Sequence, residues 1–478
     1  MASRRCDAVV VGSGPNGLAA AIVLARAGLE PTVYEARDTI GGGTRSAELT
    51  LPGFLHDVCS AIHPLLLGSP FMRELPLRDH GLELAHSPLP LAHPFDDAPP
   101  ATLHRSVEET ARGLGADGAA YSRLIGPLAG AASALMADVL GPLRLPRHPV
   151  GLARFGLSAL RSATALARSA FETERARGLV AGLAGHSMLP LEAPGTAAFG
   201  LILAVLGHAV GWPIAVGGSR RIADALASHL AEAGGEIVTS RPVGSLDELP
   251  RTRAVLFDVA PRHLLEIAER RLPDRYRRRV LRYRHGPGAF KLDWALDGPI
   301  PWADSECAGA ATVHLGGTMA EIAASERAAA GGGVDERPFV ILAQQSPFDA
   351  TRAPTGKHTA WAYCHVPNGS ADDATNAIEA QVERFAPGFR ERILARHAMG
   401  PAELEAHNRN LVGGDVNGGA ADLGQVVFRP ARRLVPYRTP LPGVYLCSSA
   451  TPPGGGVHGM CGYFAARAAL RRVLTPAT

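Results

Sequence analysis

Apolar positions along the chain change their period several times, and each change marks an element. Residues 7–12, DAVVVG, are apolar and β-branched without a break, the pattern of a parallel strand covered on both faces. Helical spacing follows through Leu18, Ile22 and Ala25 and stops at Gly28, a residue suited to a helix C-terminus. A second strand, PTVYEA, is predicted to end at Glu35–Ala36. Much later Ile222, Leu226 and Leu230 recur at i+4, and Gly234–Gly235 close that helix. Near the C-terminus Val444 to Cys447 reads as a short buried strand, followed by a Pro/Gly loop and a helix expected to begin near Val457–His458.

The stretches between behave differently. Residues 76–210 are rich in Ala, Leu and Arg at helical spacing. Residues 286–410 alternate like strands in AFKLDWAL, PFVILAQQ and HTAWAYCHVP, which fits a mixed sheet covered by helices. ASERAAAGGGVDERP, residues 324–338, reads as a mobile surface loop. The predicted fold is therefore α/β: a Rossmann-type dinucleotide-binding domain assembled from 1–75, 211–285 and 411–478, and a mixed-sheet plus helical substrate domain from 76–210 and 286–410. The most apolar segment, Ala193–Gly218, has the length of a membrane span. Gly and Pro interrupt it, and so do His208 and Trp212–Pro213, so a buried helix lining a pocket is expected instead.

Composition narrows the class. The chain has 478 residues and a net charge of +3, too small to point to a nucleic-acid partner. Only two of its 48 basic residues are lysines, Lys291 and Lys357. The six cysteines, at 6, 59, 307, 364, 447 and 461, form no Cys-x-x-Cys pair. That spacing argues against a metal cluster and against a redox disulfide, and it suits a reduced, cytoplasmic protein. No metal ligand set is predicted. MASRRC runs straight into the first strand, so no signal peptide is read there. The Arg-rich run from Arg270 to Arg284 reads as a solvated helix face, with peripheral contact to a membrane surface as the alternative.

The glycines carry the chemistry. Gly12, Gly14 and Gly17 follow the first strand in G-x-G-x-x-G spacing, with Pro15 and Asn16 between them. Gly12 permits the tight turn, Gly14 lets the backbone approach a pyrophosphate, and Gly17 lets helix and strand pack closely. The helix N-terminus offers free N–H groups to the phosphates. Glu35 stands about 20 residues further on, where a carboxylate takes ribose hydroxyls, with Ala36 beside it. Strand, glycines, helix, second strand and acid in that order indicate NAD or FAD. DTIGGGTRS then adds a second glycine run, Gly42 and Gly43, ending in Thr44 and Arg45, whose guanidinium can fork onto the pyrophosphate. A tightly held FAD uses such a second clamp; a shuttling nicotinamide has little need of it. In the C-terminal loop, Gly455 and Gly456 allow backbone approach to a flat ring, and Val457 and His458 at the expected helix start can face it.

VVVGSGPNGLAAAIVLARAG, GGGTRS and PGVYLCSSATPPGGGVHGMCG together resemble the phytoene-desaturase-like FAD-dependent oxidoreductases, within the wider amine-oxidase/glutathione-reductase-type flavoproteins. WPIAVGGSRRIADALASHLAEAGGEIVTSRPV, GFLHDVCSAIHPL and GGDVNGGAADLGQVVFRP extend the similarity. The resemblance implies that Val243 contacts the adenine and that His63 lies near the flavin ring. The chain departs from the pattern in two places. The stretch from Val243 to Ala254 is short, and Ser448 to Pro453 stands where relatives carry an acidic or Gly-rich turn followed by Thr-His-Pro, so a ribityl contact falls to Ser449.

His63 is the candidate catalytic base, weighed against a satisfied semi-buried histidine. Gln425 is the candidate cavity-lining substrate contact, weighed against a structural amide. Asp57 reads as a solvated strand-end acid, and Trp361, Tyr363 and His365 as core. The activity implied is a dehydrogenase or desaturase taking hydride from a small apolar, polyene- or isoprenoid-like substrate to FAD. The electron acceptor is not legible. A redox-neutral flavin-dependent isomerase, an amine oxidase and a non-catalytic flavoprotein scaffold stand as alternatives.

Overall fold

The computed structural model describes residues 6–474. Its first strand, Ala8–Val11, lies at the centre of a five-stranded, wholly parallel sheet. The strand order is Val444–Leu446, Ala254–Phe257, Ala8–Val11, Pro31–Tyr34, Glu236–Val238. The continuous apolar run is explained by cover on both sides. Ala8 and Val10 pack with the helix Pro15–Ala25, while Val9 and Val11 pack with Phe257, Leu264 and Ile267 on the opposite face. The helix Pro15–Ala25 is sandwiched by Arg220–Glu232 and by the last helix, Met460–Ala469. Gly462 makes the second contact close: a Cβ there would stand 1.8 Å from the Asn16 carbonyl oxygen.

The second layer is a seven-stranded mixed sheet in the order Ile393–Met399, Gly288–Leu296, His358–Val366, Val340–Ala343, Ala310–Leu315, Leu89–His93, Ala101–Leu103. Alternation along Gly288–Leu296 divides its side chains. Leu292, Trp294 and Leu296 enter a core with Ile378, Val382 and Phe389, whereas Ala289 and Lys291 line the cavity described below. Helices between 107 and 209 cover the Leu89–Leu103 edge.

Several local expectations are corrected. Residues 324–330 belong to the helix Met319–Ala330, whose start is fixed by a capping box between Thr318 and Glu321, so the loop is confined to the residues beyond it. The second strand closes at Tyr34, although the Glu35 N–H still reaches the Val238 carbonyl at 2.9 Å. The last helix begins at Met460 after a left-handed Gly459 (φ 66°), not at Val457–His458. The apolar segment forms the helix Thr196–Ala209, and no helix among the described residues is long and apolar enough to cross a membrane.

Candidate active site

A cavity of about 880 Å³ runs from the glycine turn to the face of the seven-stranded sheet. At the first end the turn is shaped by close approach. Gly12 has φ 103°, and a Cβ there would stand 2.8 Å from the Asp258 carbonyl oxygen. On Gly14 a Cβ would meet Asp258 Oδ2 at 2.7 Å, and on Gly17 it would meet the Gly12 carbonyl at 2.0 Å. Only glycine leaves the backbone bare enough here for a phosphate to approach.

Most of the residues singled out from the sequence gather on this wall: Gly12, Gly14, Pro15, Asn16, Glu35 and Ala36, then Gly42, Gly43, Thr44 and Arg45. Val243 joins them from the segment after the strand Glu236–Val238, and Ser449, Gly455, Gly456 and Val457 arrive from the C-terminal loop. Gly17 stands behind the turn as packing. Asn16 Oδ1 is buried without a hydrogen-bond partner, an acceptor suited to a ligand hydroxyl. The acceptor sites of Glu35 are engaged: Oε2 takes Ser13 N–H (3.0 Å) and Oγ–H (2.6 Å), and Oε1 takes Arg37 N–H (2.9 Å) and Arg45 (3.1 Å). A ribose therefore reaches Glu35 by displacing the Ser13 hydroxyl or Arg45, and the latter exchange frees the guanidinium for phosphate. These features fit a dinucleotide.

His458 and Gln425 do not line the cavity. The His458 ring is buried and accepts the Met460 N–H on Nδ1 at 3.0 Å, while the residue's backbone N–H is spent on the Gly456 carbonyl. It caps the last helix instead of facing a ligand. Gln425 brackets backbone, taking Arg284 N–H at 2.9 Å and donating to the carbonyls of Arg284 and Ala420. Both corrections have one cause: a buried polar side chain near a turn is claimed first by unpaired backbone groups.

His63 does reach the cavity, but both ring nitrogens face serines, Ser219 at 2.9 Å and Ser60 at 3.3 Å. Burial pushes its pKa down to about 4, and the neighbouring Asp57 only partly opposes this. The ring is neutral with both nitrogens hydrogen-bonded to serines, the arrangement of a satisfied buried histidine. Asp57 is not solvated. It is fully buried, accepting Ser46 Oγ and Ser219 N–H, both at 2.7 Å, and pairing with Arg352 at 2.8 Å. Burial alone would raise its carboxyl, yet Arg352 and these hydrogen bonds hold it below the usual range. Arg352 also binds Asp349 and the Ala215 carbonyl, tying the two layers together beneath the cavity.

The far end of the cavity was largely invisible in the sequence. Lys291, Trp361 and Tyr363 project into it from the seven-stranded sheet, facing His186, Leu203 and Trp212. Trp361 and Tyr363 lie 5.5 Å apart in a tilted pair, with the Lys291 ammonium 5.6 Å from the Trp361 ring. Lys291 is buried and paired with Asp293 at 2.6 Å, an ion pair that keeps the Asp293 carboxyl low against the effect of burial. Burial takes His186 down to about 3, and its Nε2 lies 3.0 Å from His314 Nε2. One signal was available there, since Lys291 is one of only two lysines; at the nucleotide end, Asp258 follows the strand Ala254–Phe257 at the carboxyl edge of the parallel sheet, where ligands bind.

All six cysteines are free, and burial raises Cys59, on the cavity wall, to about 11, so it remains a thiol at neutral pH. Away from the cavity, His80 Nε2 lies 3.1 Å from His229 Nδ1 and 3.2 Å from Glu232.

A parallel sheet carrying the G-x-G-x-x-G turn and a mixed sheet share one cavity in a two-layer α/β fold. Comparison with known proteins agrees. Residues 10–73 match the NAD(P)-binding Rossmann-like domain. Over 97% of this chain and 93% of the relative, the sequence is 29% identical to rat pyridine nucleotide-disulfide oxidoreductase domain-containing protein 2. Among solved structures, an oxidoreductase from Methanosarcina mazei superposes with a TM-score of 0.65 at 16% identity, covering 98% of this chain and all of that one. Putrescine oxidase with bound putrescine superposes at 0.63 and 18% identity, covering 98% and 99%. These likenesses establish the fold.

Proposed function

We propose that the chain is an FAD-dependent dehydrogenase or desaturase that removes hydride from an apolar substrate with a polyene- or isoprenoid-like carbon skeleton. The observation that carries this is the single cavity joining a dinucleotide cradle to a largely apolar chamber of Ile62, Leu203, Trp212, Ile341, Ala343 and Trp361. FAD, when bound, supplies a two-electron acceptor for a substrate hydride. The glycine turn, Asn16 and Arg45 would hold its pyrophosphate and sugar region, with Val243 on the adenine side and the Gly455–Val457 loop on the ring side.

The chamber residues align the substrate and keep bulk water out, so a C–H bond can be held in reacting geometry. Lys291, anchored by Asp293, fixes positive charge at the chamber wall. The proton that leaves with the hydride ends in solvent outside the chamber, since His63 and His186, lowered by burial to about 4 and about 3, do not hold it at neutral pH.

Two features weigh against a cationic amine substrate. The carboxylates lining the cavity, Glu35 and Asp258, belong to the nucleotide end, and the chamber presents an ammonium instead. The test is anaerobic mixing of the purified yellow protein with apolar alkenes and amines. Bleaching of the flavin band by an alkene with gain of a double bond is expected. Bleaching by amines alone, or turnover of an alkene with unchanged redox state, would replace the proposal with an amine oxidase or an isomerase. A flavin that no donor reduces would indicate a scaffold.

A further inference from the structure

The helix Pro149–Ala159 is apolar on two faces. Leu152, Phe155 and Ala159 point inward, with Phe155 and Ala159 fully covered. Val150, Ala153, Leu157 and Leu160 recur at i, i+3, i+7 and i+10 on the other side and stand in solvent. Val150 is 83% exposed, Leu157 80% and Leu160 62%. The loop before the helix adds Leu143 at 73% and Leu145 at 92%. Five large apolar side chains within one short segment exceed the scattered exposure normal on a protein surface.

Charge completes the pattern. From Asp138 to Glu172 the chain contains no acidic residue between those two, but it carries Arg144, Arg147, Arg154, Arg161 and Arg168. Arg144 packs over the Phe464 ring, and Arg161 binds Ala165 and Ser169, so these two are committed to the fold. Arg147 and Arg154 are exposed and make no side-chain ion pair or hydrogen bond among the described residues. The one nearby acid, Asp138, is consumed by the backbone N–H groups of Arg147 and His148 and by the His148 ring.

We infer that residues 143–160 form a docking surface for an anionic lipid bilayer, with the leucines entering the interfacial region and Arg147 and Arg154 meeting lipid phosphates. A protruding apolar ridge flanked by unpaired arginines matches that partner in both polarity and sign. The surface is also placed to matter: the helix packs against Thr196–Ala209, whose Leu203 lines the cavity, so a docked bilayer would lie one helix away from the chamber. The inference does not depend on the identity of the cofactor or the reaction.

The experiment is sedimentation of the full chain with phosphatidylcholine vesicles prepared with and without phosphatidylglycerol, compared with a Leu145→Glu/Leu157→Glu variant. Both positions are exposed, so the variant is expected to keep the wild-type melting temperature, which is measured alongside. The wild type should sediment with the anionic vesicles and weaken as salt is raised, and the variant should bind about tenfold less. An Arg147→Gln/Arg154→Gln variant should lose the preference for phosphatidylglycerol while keeping its melting temperature. Wild-type protein that stays in the supernatant, or vesicle binding that the leucine variant leaves unchanged, overturns the proposal. A wild-type dimer in light scattering that the leucine variant dissolves, without vesicle binding, assigns the ridge to self-association and overturns it as well.

Discussion

Gly17 and Asp258 lie 241 residues apart in sequence, yet the Gly17 N–H donates to Asp258 Oδ2 at 2.9 Å. The Asp258 carboxyl thus faces the helix start that would receive the pyrophosphate of a dinucleotide. Burial raises its pKa to about 7, with Glu35 adding to the rise and the Gly17 bond opposing it.

A neutral Asp258 tolerates a pyrophosphate beside it, whereas an ionised one repels it. FAD affinity should therefore weaken as pH rises beyond about 7, by up to about tenfold per unit. Stability follows the same sign. The folded pKa lies above the unfolded one, so the contribution is complete below 3.8 and is lost as pH climbs to about 7. Asp258→Asn should flatten both profiles in FAD titrations and thermal melts from pH 5 to about 8.5. A wild-type affinity independent of pH would remove Asp258 from the site.

Gly14→Val places a side chain where a Cβ already meets Asp258 Oδ2 at 2.7 Å and fills the phosphate approach. The purified variant should be colourless, with an absorbance spectrum lacking the flavin band. A variant as yellow as the wild type would contradict the cradle.

Arg352→Met leaves Asp57 and Asp349 buried without their counter-ion. The expected loss is about 3–5 kcal/mol in denaturant unfolding, and Asp57→Asn in the same background should recover part of it. A loss below about 1 kcal/mol would show that the network is relieved by water.

Lys291→Met removes the ammonium from the chamber wall but leaves the glycine turn untouched. Flavin content should stay near wild type while the anaerobic reduction rate falls by about a hundredfold, with Lys291→Arg intermediate. Equal loss of flavin and rate would instead indicate misfolding around the unpaired Asp293.

Gly462→Ala inserts a methyl group 1.8 Å from the Asn16 carbonyl oxygen and forces the last helix away from Pro15–Ala25. A loss of about 1–3 kcal/mol is expected, together with faster release of bound FAD, because the last helix packs directly on the helix that the glycine turn opens. Flavin release by dilution and a melting curve measure both effects.

The sequence by itself determined the parallel strand Ala8–Val11, the glycine turn and the helix after it. In this region the apolar period, the glycine spacing and the backbone requirement are all local, so one short continuous run suffices to read them. The C-terminal glycines were legible for the same reason. Tertiary structure alone decided which polar side chains remain available to a ligand. Spacing left open whether Gln425 and His63 are available or satisfied, because their partners Arg284 and Ser219 cannot be assigned from it, and it placed His458 at a helix start that falls at Met460. Asp57 looked solvated because Arg352 lies 295 residues away. The chamber was hidden because alternation along Gly288–Leu296 and His358–Val366 identifies two faces without saying which one meets the nucleotide. Contacts within a turn of chain are set by covalent neighbours, whereas burial, ion pairing and cavity shape depend on segments brought together only when the sheets close.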